Sequence, residues 1–417
     1  MADQIIKAGS TAKLGRVEGE LRVSRNSRIV AESGRGVVVT GVAYFEGPAR
    51  IEGDFECRSL RSQGEGFGKA FGPSVDIKVK GNLLVHGDLE IDGSAEVSGE
   101  VSAENVDVGG HLESKSITSN RVRAGGHMKV HGSLKAADVN VGGHLTVDEQ
   151  VEIANLRVSG HTKVGGGNMK GETRVRGHFE AAGRLNYGII QVYGRLTLPS
   201  NTKGEKLIAL GKVEFKGGTY CKEMEINGTM RVPGDCGAES LKVNGKLAVD
   251  GSLTVSGKLE VLGVLDTKKE IRCAGLALGG KLVADKVSLT GEADIAGQLW
   301  TSHGLKAKAV AVDTGSKVNG PIIAEDVEVG KGADLGFWAT ASSWRTIGRM
   351  TRVEDVYGKN IRVGRYSQAK KIFGESVRMQ NGSMAEEVNY TKEADISRGV
   401  RLERQVRKLD SLPDPPS

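Results

Sequence analysis

The sequence contains few of the residues that fill a large globular core. Aromatic residues make up 4% of its 417 residues, and there are only 8 prolines and 4 cysteines. The cysteines form no C-x-x-C pair, which excludes the common paired-cysteine zinc and dithiol motifs. We expect them to be reduced, small core residues. They are Cys57, Cys221, Cys236 and Cys273.

The sequence also lacks long apolar runs and a strong net charge. No apolar stretch reaches the ~18 residues of a membrane-spanning helix, and the first residues do not form a signal peptide. We therefore expect a soluble, cytoplasmic protein. The formal net charge is +6, and most of the basic excess lies after Thr340. This balance predicts no nucleic-acid partner, but it leaves docking of the basic part to a membrane surface or a client protein open.

Glycine, with 60 residues, is what the sequence has in abundance. There is no strict Gly-x-y triplet and little proline, so the chain is neither collagen nor a flexible linker. Glycine instead recurs inside a motif that ends in histidine and returns every 16 or 17 residues. A constant period of this length indicates a solenoid. The five segments are VDVGGH (106–111), VRAGGH (122–127), VNVGGH (139–144), LRVSGH (156–161) and TRVRGH (173–178).

Each period contains three shorter units. Residues 77–100 read IKVKGN, LLVHGD, LEIDGS and AEVSGE, which alternate apolar and polar residues before a glycine. Alternation predicts a short strand, and the glycine suits a bend that needs positive φ or close approach of two backbones. The sequence therefore predicts an all-β fold, a three-faced parallel β-helix with about 17 residues per coil and roughly 22 coils.

The predicted organisation has four parts: an N-terminal tail (1–16), a main β-helix (17–335), C-terminal aromatic and basic coils (336–409) and a disordered tail (410–417). A glycine-rich stretch at about 61–74 interrupts the alternation and is predicted to be a loop. It lacks the spacing of a phosphate-binding loop. One alternative remains open at 400–409, where the apolar residues could line a basic amphipathic helix on a membrane.

The five histidines of the motif are the sharpest candidate site. On consecutive coils they would lie about 4.8 Å apart, where imidazoles can stack or hold a metal ion between neighbours. Arg, Lys and Thr replace them in later repeats, which favours a structural ladder without metal or cofactor. Protonation would place like charges side by side and loosen this segment in acid. The ladder comprises His111, His127, His144, His161 and His178.

No catalytic residues are predicted. The connections between strands are almost all one or two residues long, so they build no cleft for a substrate. Acidic residues such as Glu90, Glu96, Asp107 and Glu113 alternate with Lys and Arg along the strands. This pattern is typical of a solvated face rather than of a paired acid and base.

The segment VKGNLLVHGDLEIDGSAEVSGEVSAENVDVGGHL (79–112) resembles the core repeat of bactofilins, bacterial and archaeal cytoskeletal proteins. The resemblance implies a right-handed, triangular β-helix that polymerises end to end without nucleotide and scaffolds other proteins, often at a membrane. This chain departs from the family in size, because it looks like several cores joined together with almost no tails.

The exposed strand edges of the terminal coils are the expected assembly contacts. We therefore predict a non-enzymatic, nucleotide-independent filament or scaffold protein that assembles with itself. Two alternatives stay open: a carbohydrate-active or glycan-binding β-helix, and a monomeric rod that docks through its basic C-terminal part. The aromatic residues among the contacts either fill the core or form a contact patch. The candidate contacts are Ile5, Ile6, Phe337, Trp338, Trp344, Arg398, Arg401, Leu402 and Val406.

Overall fold

The computed structural model describes residues 3–32, 34, 36–62, 75–331 and 350–416. Within these ranges the regular structure consists of β-strands, with no α-helix. The chain divides into two compact units, Met1–Glu205 and Lys206–Ser417, which are both parallel β-helices. Most of the predicted glycine-rich loop, and Phe337, Trp338 and Trp344, lie outside the described residues.

Most strands are short, and the long ones run through more than one face of a coil. The strands up to the boundary between the units are β1 (Gln4–Ile6), β2 (Thr11–Leu14), β3 (Arg16–Val17), β4 (Leu21–Val23), β5 (Ser27–Ala31), β6 (Val37–Phe45), β7 (Ala49–Glu52), β8 (Phe55–Ser62), β9 (Ile77–Val79), β10 (Leu83–Val85), β11 (Asp88–Ile91), β12 (Ala95–Val108), β13 (His111–Ala124), β14 (His127–Val130), β15 (Leu134–Val141), β16 (His144–Val158), β17 (His161–Val175), β18 (His178–Ala181), β19 (Leu185–Val192), β20 (Arg195–Leu198) and β21 (Thr202–Ala209).

The strands after the boundary follow the same plan. They are β22 (Lys212–Phe215), β23 (Thr219–Ile226), β24 (Thr229–Val232), β25 (Cys236–Val243), β26 (Lys246–Val249), β27 (Leu253–Val261), β28 (Val264–Thr267), β29 (Glu270–Leu278), β30 (Lys281–Ala284), β31 (Lys286–Leu289), β32 (Glu292–Ile295), β33 (Gln298–Thr301), β34 (Leu305–Lys306), β35 (Ala309–Asp313), β36 (Lys317–Asn319), β37 (Ile322–Ile323), β38 (Asp326–Lys331), β39 (Thr351–Val353), β40 (Val356–Val363), β41 (Ser367–Met379), β42 (Met384–Ile396), β43 (Arg401–Leu402) and β44 (Arg407–Lys408).

Every strand pair is parallel, and each strand pairs with the equivalent strand of the next coil. In the first unit, β9, β10 and β11 together form one coil, and all three pair with successive parts of β12. Because each turn of the coil contains three strands, the β-helix has three faces. Over both units the strands make about 22 turns, about 17 residues apart. The predicted parallel β-helix is confirmed.

Alternation along each strand separates the core from the surface. In β12 the inward residues Val97, Val101, Val106 and Val108 are almost fully buried, whereas Glu96, Glu104 and Asp107 face outward. Because successive side chains of a strand point to opposite faces, each coil contributes a thin layer of apolar side chains. Stacked layers supply the apolar core that a single coil could not form.

The corner glycines bring backbones together rather than supplying an unusual φ. A Cβ placed on Gly160 would collide with the carbonyl oxygen of Gly143, and one on Gly245 would collide with that of Gly228. Neither Gly160 nor Gly245 has positive φ. Of the two reasons that the sequence offered for glycine here, close approach is the correct one.

The predicted N-terminal tail is wrong for residues 4–16. Strand β1 pairs with β4, and β2 pairs with β5, so these residues form part of the first coil. Ile6 and Leu14 supply its buried side chains, with 3% and 6% exposure. The alternation was hard to see because the chain turns at Gly9, which has a φ of 69°.

The amphipathic helix considered for residues 400–409 is also wrong. The chain there forms β43 and β44, which both pair with β42. The coil near this end is 16 residues long, because Val356 of β40 pairs with Ile372 of β41. Residues 410–416 contain no strand.

Candidate functional surfaces

The five motif histidines form one column at a corner of the first unit. His127 pairs with His144 and His144 pairs with His161 on consecutive coils, and the column continues to His111 and His178 at its ends. The predicted neighbours are therefore confirmed. Each corner glycine precedes its histidine, so the imidazole is the first side chain after the bend and points outward.

The three central imidazoles are stacked face to face. The ring centroids of His127 and His144 are 4.6 Å apart with planes 4° apart, and those of His144 and His161 are 5.3 Å and 6° apart. The outer pairs are tilted, by 46° at His111 and 35° at His178. We call His127, His144 and His161 the central ladder.

The remaining three histidines have a different environment. His86 lies 2.8 Å from Glu56, and His303 lies 2.9 Å from Asp285, each on another coil. The third, His131, lies between two carboxylates, 2.7 Å from Glu113 and 3.4 Å from Asp148. We call His86, His131 and His303 the paired histidines.

The paired histidine at position 131 affects its carboxylate partner. The hydrogen bond between His131 and Glu113 holds the pKa of Glu113 below its usual value, and the charge of Lys129 adds to the effect. The sequence did not reveal these pairs, because it does not show which outward side chains meet across coils.

Other residues that could ligate a metal do not gather into a site. In the described ranges no group of three or more His, Cys, Asp or Glu side chains is arranged to hold a metal ion. The four cysteines are buried thiols, as predicted. Burial raises the pKa of Cys57, Cys236 and Cys273 to about 12, so these thiols are poor nucleophiles.

Three of the four acidic residues singled out in the sequence, Glu90, Glu96 and Glu113, form ion pairs with basic side chains on neighbouring coils. Glu90 lies 3.7 Å from Arg61, and Glu96 forms an ion pair with Lys78. Glu113 is shared by His131 and Lys129. These pairs agree with the solvated face that the sequence predicts.

Two open grooves lie on the faces of the coils. The first unit has one of about 590 Å³, lined by outward residues that include Ser102, Thr118 and Glu152. The second unit has one of about 660 Å³, where Asp294, Glu328, Arg362 and other charged residues line the surface. Both grooves cross the strands, because their lining residues occupy equivalent positions on successive coils.

The first coil has an unpaired strand edge in the described part of the chain. The Gln4 N–H donates to Glu20 O at 2.9 Å, and Ile6 O accepts from Ser24 N–H at 3.0 Å. Backbone groups alternate in direction along a strand, so the N–H and C=O of Ile5 point to the other side. The Ile5 side chain is 67% exposed. Ile6 was predicted to be a contact, but its side chain is buried in the core.

The last coil has a second edge of this kind. The N–H groups of Arg401 and Glu403 donate to the preceding coil, so the backbone groups of Leu402 point away from it. Leu402 and Val406 are half-buried, whereas Arg398 and Arg401 are exposed. The cationic side chains therefore flank the edge.

The sequence did not single out two aromatic clusters of the second unit. Trp300 lies between the ammonium groups of Lys281 and Lys317, which are 5.9 Å and 4.6 Å from its ring centroid. Tyr357 stacks on Phe373 with centroids 4.8 Å apart. The stacked pair could have been predicted from the sequence, because Tyr357 and Phe373 each begin a 16-residue repeat.

No family model, curated protein or solved structure matches this chain. The likeness to bactofilins thus rests on the repeat sequence alone. In the described part of the chain, no helix has the length and apolar character needed to span a bilayer.

Proposed function

We propose that the chain is a non-enzymatic scaffold protein that assembles end to end, without nucleotide, through its terminal coils. The observation that carries the proposal is the edge of β1, where the backbone donor and acceptor of Ile5 have no strand partner among the described residues. Unpaired strand edges of this kind recruit another strand unless they are covered.

A second copy of the chain is the partner that fits this edge. The last coil presents a similar edge at Leu402, and both ends consist of parallel strands. If the last coil of one copy lay on the first coil of the next, parallel pairing would continue from molecule to molecule. The exposed side chain of Ile5 would then be covered as well.

Two further observations support a scaffold over an enzyme. The acidic residues that could act as an acid and base are paired with Lys, Arg or His, as at Glu96 and Glu113. The repeat also resembles that of bactofilins, for which polymerisation without nucleotide is the family's property.

Negative-stain electron microscopy and sedimentation of the purified chain, without nucleotide, test the proposal. We expect filaments whose amount rises with protein concentration. Dispersed particles at all concentrations would contradict end-to-end assembly.

The variant Ile5→Pro tests the edge itself. Proline removes the outward N–H of residue 5, while the bonds of Gln4 and Ile6 to the second coil remain. We expect Ile5→Pro to shorten or abolish filaments, and Ile5→Thr, which keeps the donor, to retain them. Equal assembly of both variants would show that the β1 edge is not the contact.

A glycan binder is the second candidate, and the 590 Å³ groove of the first unit favours it. Its lining residues Ser102, Thr118 and Asn120 offer small polar groups along a face. Soluble acidic and neutral glycans should then bind the wild-type chain, and Thr118→Trp should weaken binding by filling the groove.

Docking through the basic C-terminal part is the third candidate. Arg398, Arg401 and Arg407 are exposed there. Co-sedimentation with anionic vesicles, with and without residues 397–417, distinguishes this surface from the strand edges, because filaments form without lipid under the first proposal.

A further inference from the structure

The central ladder offers three imidazoles at almost the same orientation. The ring centroids are 4.6 Å and 5.3 Å apart and the planes lie within 6° of parallel, so each imidazole faces the next across one coil spacing. All three side chains are exposed. In the part of the chain that the structure describes, no carboxylate lies at ion-pair distance from His127, His144 or His161.

Access to the column is open on one side. The residues before the three histidines are Gly126, Gly143 and Gly160, which have no side chain to cover the imidazoles. The histidine N–H groups donate to carbonyls of the preceding coil, at 3.0 Å for His127 and His144. The backbone is therefore fixed, while the exposed rings can rotate about their side-chain bonds.

Imidazole nitrogen is a preferred ligand of Zn²⁺ and Cu²⁺, at about 2.0–2.1 Å. Two nitrogens on one ion are then about 3–4 Å apart, which is slightly less than the ladder repeat. The lone pairs of stacked rings run parallel, so two neighbouring rings must each tilt by roughly 45–55° to direct both nitrogens at a shared ion with an N–metal–N angle near the tetrahedral value. The exposure of the side chains leaves room for this rotation.

We propose that the central ladder binds divalent transition-metal ions, with each ion held by two neighbouring imidazoles and completed by water. Such a site has two protein ligands, since no group of three or more His, Cys, Asp or Glu side chains is arranged to hold a metal ion in the described residues. Cu²⁺ binds more tightly than Zn²⁺, as expected for nitrogen ligands, and Mg²⁺ and Ca²⁺ do not bind.

The other histidines differ from the central ladder in the side chains that surround them. In His131 both ring nitrogens already face carboxylates, at 2.7 Å and 3.4 Å. His86 and His303 each pair with one carboxylate and have no second imidazole on the next coil. The paired histidines are therefore a matched control of equal number.

Isothermal titration calorimetry with Zn²⁺ and with Cu²⁺, at about pH 7.5, measures the site in the full chain. The wild-type protein is expected to bind at least one ion per chain. The triple variant H127Q/H144Q/H161Q should lose affinity by about tenfold or more, while H86Q/H131Q/H303Q keeps it. Circular dichroism confirms that both variants are folded.

Electron paramagnetic resonance of bound Cu²⁺ gives a second measurement. Nitrogen hyperfine coupling should be present in the wild type and the control variant, and clearly weaker in the ladder variant at the same ratio of Cu²⁺ to protein. If the ladder variant fails to fold, His144→Gln replaces it, because removal of the middle imidazole breaks both pairs. Unchanged binding in the ladder variant, or equal loss in both variants, would overturn the proposal.

Discussion

The two units use the same corner of the repeat in different ways. In the first unit the residue after the corner glycine is histidine on five successive coils. In the second unit the column runs through Lys212, Thr229, Lys246, Val264 and Lys281. The side chain changes completely while the glycine before it stays.

This difference separates what the fold needs from what a surface can vary. The glycine is needed because the neighbouring backbones leave no room for a Cβ. The residue after it points to solvent, so its identity does not affect the core. A run of one residue type at such a position, as in the histidine ladder, is therefore a feature of the surface and not of the coil.

The largest effect is expected for the corner glycines, and it should be equal in both units. Gly160→Ala and Gly245→Ala should each lower the free energy of unfolding by about 3 kcal/mol, because the new Cβ collides with a carbonyl oxygen. Gly275→Ala is the control, since its Cβ would lie 3.7 Å from the nearest atom, Glu292 O. Urea unfolding measures all three. A small loss of stability in one unit and a large loss in the other would contradict the prediction that both units need the corner glycine equally.

A smaller effect, an increase in stability, is expected when buried threonines are replaced whose hydroxyls have no hydrogen-bond partner in the described part of the chain. Thr162 in the first unit and Thr267 in the second are such residues. Each change to Val should raise the free energy of unfolding by about 1 kcal/mol, because an unpaired polar atom leaves the core.

The matched control is Thr202, which is equally buried and donates to Pro199 O at 2.9 Å. Thr202→Val should be destabilising in the same denaturant experiment. Stabilisation by all three changes would mean that hydrogen bonding at these sites is irrelevant.

The smallest effect concerns one carboxylate. His131→Gln should raise the pKa of Glu113 towards its usual value, because the hydrogen bond that lowers it is removed. A lowered carboxyl pKa contributes stability that is lost as the pH falls through that pKa. The variant should therefore lose slightly less free energy of unfolding than the wild-type protein when the pH is lowered through this range. Carboxyl NMR titration measures the shift, and His303→Gln should leave Glu113 unchanged.

The coil could be predicted because the same alternation of apolar and polar residues, followed by a glycine, recurs many times along the chain. Alternation shows which side chains face inward, and the constant spacing showed that His127 lies beside His144. The first coil was missed because a turn at Gly9 interrupts the alternation of apolar and polar residues.

Contacts between outward side chains could not be predicted in the same way. His86 meets Glu56 across 30 residues, well beyond the regular period, because residues 63–74 lie between them. Lys281 and Lys317 meet Trp300 only through the register of three successive coils. Such contacts depend on the length of every intervening corner, which alternation does not encode.

The register across residues 332–349 has a practical consequence. Lys317 pairs with Arg352, about twice the usual interval along the chain, and regular pairing continues from Thr351 to Ser367. The pairing of the described strands on either side therefore stays in register over an interval longer than one coil. Sequences of different length placed between Lys331 and Met350 should leave these pairings intact, so this position suits the insertion of epitope tags for engineering.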